Sequence, residues 1–242
     1  MPHFFINSKN LNQNEIVVED KENFNHIAKS LRAKVGEELL LIDENQIEYV
    51  TKIRDITNKT IICEVLSSHV SQRDLKYNLY LAQSPLKSDA QLTVMEKATE
   101  LGVRGVYPVY TDNCALKKSV AQQKIEKWQK VMYEASKQCE RATIPQCYEL
   151  TTLETVLEKK FDKVIALCER HTEDSLKNYL RGNPIKEGEN ILVIIGCEGG
   201  FSEREFQLFK DKNLPMLSLG DLILKAETAV ITTLGNIVYE YN

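Results

Sequence analysis

The chain has 242 residues, of which 43% are hydrophobic and 27% are charged, and its formal net charge is −4. These values are ordinary for a globular protein and exclude one that coats nucleic acid indiscriminately through an excess of positive charge. There is no apolar run long enough to span a membrane and no signal-peptide pattern, so we expect a cytoplasmic protein. The six cysteines form no C-x-x-C pair, which disfavours a zinc site and favours small buried fillers.

Residues 1–70 combine short β-rich segments with polar turns, which is typical of a small barrel or sandwich. One helix is expected from about Asn23 to Ala33. The β-rich segments span 38–42, 48–56 and 60–66. The polar stretch 67–74 is the expected boundary, so we predict a β-barrel domain over 1–70 and a second domain over 75–242.

Beyond residue 75 strand-like and helix-like segments alternate, which predicts a parallel sheet covered by helices. The predicted strands span 77–83, 106–110, 163–168, 191–195 and 215–219, and helices are expected near 88–101, 119–139, 176–180, 202–212 and 227–239. Ser88 with Gln91, and Ser202 with Glu205, have the spacing of a capping box. The lysine-rich stretch 117–141 also contains glutamates and is interpreted as a solvated helix face.

The segment Ile191–Ser202 is a strongly apolar strand that runs into three glycines around one carboxylate and then into a helix. In parallel sheets, ligands bind beyond the carboxyl ends of the strands, and glycines let the backbone approach a ligand closely. The alternative is a tight connection that uses glycine for geometry alone. Neither a G-x-G-x-x-G nor a P-loop pattern is present, which disfavours a dinucleotide or ATP site of those kinds.

The segment Leu217–Thr228 contains an apolar patch, Leu222–Leu224, where a surface loop is usually polar. An apolar loop beside a glycine-rich loop suggests the wall of a pocket for a flat ligand such as adenine. The alternative is simple helix capping, with Thr228 as the N-cap and Glu227 favouring the helix dipole.

Five segments in order along the chain carry a family resemblance. They are His26–Arg32 with Gly36, Glu96–Val103, Gln138–Arg141, Gly196–Ser202 and Leu219–Ala229. On these motifs the chain resembles the SPOUT class of methyltransferases, and specifically the bacterial 16S rRNA uridine-N3 methyltransferases of the RsmE type.

The resemblance implies an α/β fold, in which a small PUA-like β-barrel precedes a SPOUT-type parallel-sheet domain with a trefoil knot. It also implies a homodimer that uses S-adenosylmethionine, without a metal, to methylate N3 of a uridine in 16S rRNA. The implied target is the decoding-region uridine 1498, and the implied substrate is 16S rRNA within the assembled small ribosomal subunit. The implied cofactor-binding residues are Leu167, Cys168, Glu169, Ile195, Gly196, Gly199, Gly200, Leu217, Leu219, Gly220, Ile223, Leu224, Thr228 and Ala229.

Uracil N3 carries a proton, so methylation there requires an acceptor. Glu227 is the expected base or orienting residue, and Glu198 is the other carboxylate near the implied site. Arg141 is expected to stabilise the uridine anion or its phosphate, assisted by Lys225. The expected RNA contacts are Arg32, Lys87, Lys97 and Arg141.

The chain departs from the family pattern at Cys197, which replaces a proline, and at Leu222 and Lys225, which replace arginines. Glu140 also departs, standing where a small residue is usual. Three alternatives therefore stay open: a SPOUT enzyme with another RNA target, a non-catalytic RNA-binding assembly protein, and a hydrolase that uses Cys197 with one of the four histidines.

Overall fold

The computed structural model describes residues 2–170, 172 and 174–242. Contacts divide the chain into two units: Met1–Asp74 with Lys137–Thr143, and Leu75–Ser136 with Ile144–Asn242. The units separate after Asp74, at the end of the polar stretch. The return of seven residues to the first unit was not anticipated from the sequence.

The first unit contains a mixed six-stranded sheet. Its strands are β1 (His3–Phe5), β2 (Leu11–Asn12), β3 (Glu15–Val18), β4 (Glu38–Ile42), β5 (Ile47–Ile56) and β6 (Ile61–Val70). They lie in the order β1-β4-β5-β6-β3-β2, with β1 parallel to β4 and the other pairs antiparallel. Phe4, Ile16, Leu41, Ile53 and Ile61 fill its core, each at most 1% exposed.

The structure differs from the prediction of one continuous helix over 23–33. A single turn, α1 (Lys21–Phe24), passes into a π-helical turn at Asn25–Ser30. Asp20 caps α1 by accepting from the Asn23 amide, and Asn23 Nδ2 donates to the Phe5 carbonyl at 2.7 Å. This contact between α1 and β1 fixes where the helix begins. The spacing of apolar residues in the sequence indicates which face of a helix is buried, but it does not indicate where the helix starts.

Polar contacts hold Lys137–Thr143 in the first unit. Arg73 Nη1 donates to Glu140 at 2.8 Å, and Thr143 Oγ1 donates to Asp74 at 2.7 Å. Arg141, only 5% exposed, places its guanidinium 3.4 Å from Asp74. Because a buried guanidinium is costly without partners, this ion pair is part of the structure of the first unit.

The second unit contains a seven-stranded sheet in which all pairs are parallel. Its strands are β7 (Asn78–Gln83), β8 (Gly105–Pro108), β9 (Gln146–Cys147), β10 (Lys163–Leu167), β11 (Asp174–Ser175), β12 (Asn190–Ile195) and β13 (Met216–Ser218). They lie in the order β11-β13-β10-β12-β7-β8-β9. The helices are α2 (Ser88–Glu100), α3 (Lys118–Gln122), α4 (Ile125–Gln138), α5 (Leu153–Leu157), α6 (Leu176–Gly182), α7 (Glu203–Asp211) and α8 (Ala226–Tyr241).

The central strand β12 is buried on both faces. Ile191, Val193 and Ile195 pack with residues of α2 and α8, whereas Leu192 and Ile194 pack with the phenylalanines of α7. This explains why the strand reads as a continuous apolar run, because a parallel strand covered by helices has no polar face. The predicted α/β fold is confirmed.

Three local predictions about helices are corrected. Lys87 is the N-cap of α2, Ser88 has a φ of +46°, and Gln91 Oε1 accepts from the Leu86 amide instead of completing a capping box. The helix expected over 119–139 is divided between α3 and α4. Thr228 lies inside α8, whose N-cap is Lys225. The capping box of Ser202 and Glu205 is confirmed.

Within the described part of the chain, no helix has the length and apolarity of a membrane span.

Candidate functional site

A cavity of about 530 Å³ lies where β10, β12 and β13 end. It is enclosed by the loops that follow these strands and by the start of α8. The lining residues are Ala90, Leu167, Cys168, Glu169, Ile195, Gly196, Cys197, Glu198, Gly200, Phe201, Leu219, Gly220, Leu222, Ile223, Leu224, Lys225, Ala226, Glu227 and Ala229. Its position follows from the topology, since the carboxyl ends of parallel strands meet at one edge of the sheet.

The first wall of the cavity is the glycine-rich loop, defined as Gly196–Phe201. Its backbone carbonyls are engaged by neighbours: Gln83 Nε2 donates to Gly196 at 3.0 Å, and the Gly200 amide donates to Cys197 at 3.0 Å. Gly200 has a φ of +65°, which favours glycine. These bonds give the loop one defined backbone path.

The second wall is the loop Leu219–Lys225, which connects β13 to α8. Leu219, Ile223 and Leu224 line the cavity, yet Ile223 is 69% exposed and Leu222 is 80% exposed. The apolar patch identified in the sequence therefore lies at the cavity, as predicted. These two adjacent apolar side chains place exposed apolar surface beside the cavity.

Most charged side chains of the cavity are acidic. Glu169, Glu198 and Glu227 line it together with a single described lysine, Lys225. Glu198 Oε1 accepts from the Lys87 backbone amide at 3.4 Å. An acidic lining favours a ligand that carries positive charge.

The cysteines of the cavity do not have the environment of nucleophiles. Burial raises the pKa of the Cys168 thiol to about 12. Cys197 Sγ donates to the Asn113 carbonyl at 3.1 Å. Of the histidines, those that are described all belong to the first unit, and His171 lies outside the described residues. The hydrolase alternative therefore has no support here.

The residues expected at the cofactor mostly line the cavity. Among these described residues, Gly199, Leu217 and Thr228 do not line it. Leu217 is 2% exposed and belongs to the core of the second unit. Sequence reasoning missed Ala90 of α2 as a lining residue. Its distance along the chain from the other loops left no signal that could have found it.

The residues expected to act in catalysis or RNA binding lie in several places. Glu198, Lys225 and Glu227 line the cavity, whereas Arg141 is buried in the first unit. The residues expected to bind RNA are distributed as follows: Arg32 is exposed in the first unit, Lys87 is exposed in the second unit, and Lys97 pairs with Glu96 and Glu100 at 2.7 and 2.8 Å. Those two carboxylates raise the pKa of Lys97.

The cavity fits S-adenosylmethionine in size and chemistry. Its volume lies in the range of nucleoside-sized ligand sites. The apolar side chains of the second wall suit an adenine and the methylene groups of the methionine portion, and the carboxylates suit a sulfonium and an ammonium group. A Cβ at Gly196 would lie 3.4 Å from the Gly200 backbone, in ordinary van der Waals contact with the loop.

Two family models match the chain. The RNA methyltransferase domain matches residues 73–238, and the RNA methyltransferase PUA domain matches residues 18–66. A PUA domain joined to this parallel-sheet domain defines an RNA methyltransferase with the SPOUT fold. Both parts of the expected fold are thereby confirmed.

The chain belongs to the family of ribosomal RNA small subunit methyltransferase E, as the motifs predicted. The protein of that name from Rickettsia conorii is 30% identical over 234 residues, which cover 96% of this chain and 93% of the relative. The one from Bacillus subtilis is 24% identical over 225 residues, covering 90% of this chain and 88% of the relative.

Solved structures show the same fold. A methyltransferase-like protein from Legionella pneumophila, with S-adenosylmethionine bound, has a TM-score of 0.83 at 27% identity and covers 99% of this chain and 97% of its own. Ribosomal RNA small subunit methyltransferase E from Neisseria gonorrhoeae, also bound to S-adenosylmethionine, has a TM-score of 0.85 at 21% identity, covering 100% and 98%. Both of these proteins bind S-adenosylmethionine, the cofactor that the motifs imply for this chain.

Proposed function

We propose that this protein transfers the methyl group of S-adenosylmethionine to N3 of a uridine in 16S rRNA, at the decoding-region uridine 1498. The observation that carries the proposal is the acidic, partly apolar cavity at the ends of β10, β12 and β13. The relatives from Rickettsia conorii and Bacillus subtilis are named as methyltransferases of small-subunit rRNA, which supports the choice of substrate.

The residues that would hold the cofactor form the two walls of the cavity. When bound, S-adenosylmethionine supplies a methyl group that its sulfonium already activates for in-line transfer. Leu219, Ile223 and Leu224 contribute apolar surface, and the glycine-rich loop lets the backbone approach closely. The protein then has to position the uridine and balance the charge that develops on it.

Glu227 is the residue proposed to accept the N3 proton or to orient the uracil. It lies in the first turn of α8 and lines the cavity. Lys225, two residues earlier, also lines the cavity and would stabilise the negative charge that forms on the uracil oxygens. Glu198 would offset the positive charge of the cofactor from the opposite wall.

Arg141 is proposed to stabilise the uridine anion or to clamp its phosphate. Its guanidinium fork suits either task. In the structure it is buried near Asp74, so its replacement affects the first unit as well. An Arg141→Lys variant keeps a positive charge but loses the fork. The role predicts that turnover in that variant falls by more than its loss of folded protein accounts for, which thermal unfolding measured beside turnover would show.

Recognition of RNA is proposed to use Arg32, Lys87, Lys97 and Arg141, in a homodimer acting in the cytoplasm on an assembled small subunit. Few phosphate contacts are needed when the shape of a ribosomal particle supplies the remaining specificity, which agrees with the net charge of −4. Uracil N3 is hidden in a base pair, so the target uridine must be unpaired or turned out of its stack.

The experiment has two arms. Calorimetric titration with S-adenosylmethionine tests the cofactor site, and the absence of binding contradicts every methyltransferase reading. Incubation of purified small subunits and of free 16S rRNA with the protein and labelled cofactor, followed by mass spectrometry, locates the methyl group. Label at another nucleotide would support a different RNA target. Cofactor binding without any transfer would support a non-catalytic assembly protein.

A further inference from the structure

The loop Thr111–Cys114, which follows β8, contacts the glycine-rich loop through Asn113. Asn113 Nδ2 donates to the carbonyl of Gly199 at 3.0 Å and reaches that of Gly200 at 3.4 Å. The Asn113 carbonyl accepts from Cys197 Sγ at 3.1 Å. One residue thus contacts the glycine-rich loop at three points.

The contact is close as well as polar. A Cβ built on Gly199 would lie 2.9 Å from Asn113 Cβ and 3.2 Å from the Asn113 carbonyl oxygen. Only a glycine at position 199 fits against Asn113 without displacement. Asn113 lies outside all five family segments, so the motifs give no indication of this role.

The loop Thr111–Cys114 is itself fixed in place. Glu205 is fully buried and accepts from the Asp112 amide at 2.9 Å. Arg204 donates from Nε and Nη2 to the two carboxylate oxygens of Asp112, at 3.0 and 2.9 Å. Thr111 Oγ1 lies 2.6 Å from Ser84 Oγ. Asn113 therefore projects from a rigid support.

We propose that Asn113 is a positioning residue that holds the glycine-rich loop in the conformation that receives the cofactor; this rests on the proposed function. Glycines lose more backbone freedom on ordering than other residues. Ordering a loop with two adjacent glycines therefore costs conformational entropy, and cofactor binding is weaker if this entropy is lost only when the cofactor binds. The Asn113 amide orders the loop beforehand, because it engages the carbonyls of Gly199 and Gly200 in the absence of the cofactor.

The test compares Asn113→Asp and Asn113→Ala with a matched control, Asn183→Ala. The aspartate keeps the shape of the side chain but replaces its donor with an acceptor facing two carbonyls. Asn183 is exposed like Asn113, and its amide also donates to a backbone carbonyl, that of Tyr179 at 3.0 Å. The control therefore removes a similar bond away from the cavity.

Two measurements are made on the full chain. Hydrogen exchange without cofactor is expected to be faster in peptides covering 196–201 for both Asn113 variants, and unchanged for Asn183→Ala. Calorimetry is expected to give a dissociation constant for S-adenosylmethionine raised roughly tenfold, the loss expected for one or two hydrogen bonds. In turnover assays KM for the cofactor should rise while kcat stays near the parent value.

The outcomes distinguish a failure of the proposed function from a failure of the role proposed for Asn113. If the parent protein binds no S-adenosylmethionine, the proposed function fails. If the parent binds it and Asn113→Asp shows parental exchange in 196–201 and parental affinity, the role of Asn113 is wrong while the proposed function stands. A fall in kcat with an unchanged KM would also overturn the positioning role.

Discussion

The two walls of the cavity are built in opposite ways. The glycine-rich loop has its carbonyls engaged by Gln83, Asn113 and its own backbone. The loop Leu219–Lys225 instead exposes Leu222 and Ile223 to solvent. The comparison indicates that the first wall contributes fixed geometry, whereas the second presents apolar area that a ligand could cover.

The largest expected effect distinguishes Glu227, in the first turn of α8, from Glu198, on the first wall. Glu227→Gln should lower turnover roughly 100- to 10,000-fold while cofactor affinity stays near the parent value, because a general base contributes about that much. Glu198→Gln, on the first wall, should mainly weaken cofactor binding. Single-turnover assays with calorimetry distinguish them. Full turnover by Glu227→Gln would exclude it as the base.

The next effect concerns the support of the first wall. Glu205→Ala should lower the free energy of unfolding by about 2–4 kcal/mol, since the amides of Asp112 and Ser202 both lose a buried acceptor. Urea unfolding followed by circular dichroism measures this. Lys210→Ala, on the exposed side of the same helix, is the control and should change stability by less than about 0.5 kcal/mol. Equal losses of unfolding free energy in Glu205→Ala and Lys210→Ala would show that the buried hydrogen bonds of Glu205 do not stabilise the first wall.

A smaller effect is expected from adding one methyl group to the first wall. Gly199→Ala should weaken cofactor binding roughly tenfold, because the new Cβ meets Asn113 and overpacking of this kind costs about 1–3 kcal/mol. Gly182→Ala is the control, since a Cβ there meets no atom within 4 Å. Calorimetric affinities check both. Unchanged binding by Gly199→Ala would mean that the first wall is not rigid.

The smallest effect is expected on the second wall. Leu222→Ser should change the stability of the isolated chain by less than about 0.5 kcal/mol, because the side chain is already 80% exposed. The substitution should instead weaken the affinity for the substrate or the cofactor. Thermal unfolding at low protein concentration measures the first quantity. A loss of more than about 1 kcal/mol would show that the loop is packed and that the two walls are alike.

The sequence predicted the parts of the site whose signals are local. The apolar run of β12, the glycines that follow it and the capping box of Ser202 with Glu205 are contiguous, so periodicity and spacing were enough. The second wall was found in the same way, from apolar residues where polar ones are usual.

The missed features depend on contacts between residues far apart in the chain. Ser88 has the residue type of a cap, but the bond from the Leu86 amide to Gln91 sets a different start for α2. Asn113 is an ordinary loop residue in the sequence, and only the fold brings it to Gly199, 86 positions later. Tertiary contacts override local preference at both places.

The return of Lys137–Thr143 to the first unit has a consequence for how such a chain can change in evolution. An RNA-binding module that occupies one continuous stretch is exchanged between genes by one crossover. Here, a crossover after Asp74 would bring in a new barrel but leave behind Arg141 and Thr143, whose side chains meet Asp74. A replacement of the barrel therefore keeps these contacts only if Lys137–Thr143 is replaced together with it.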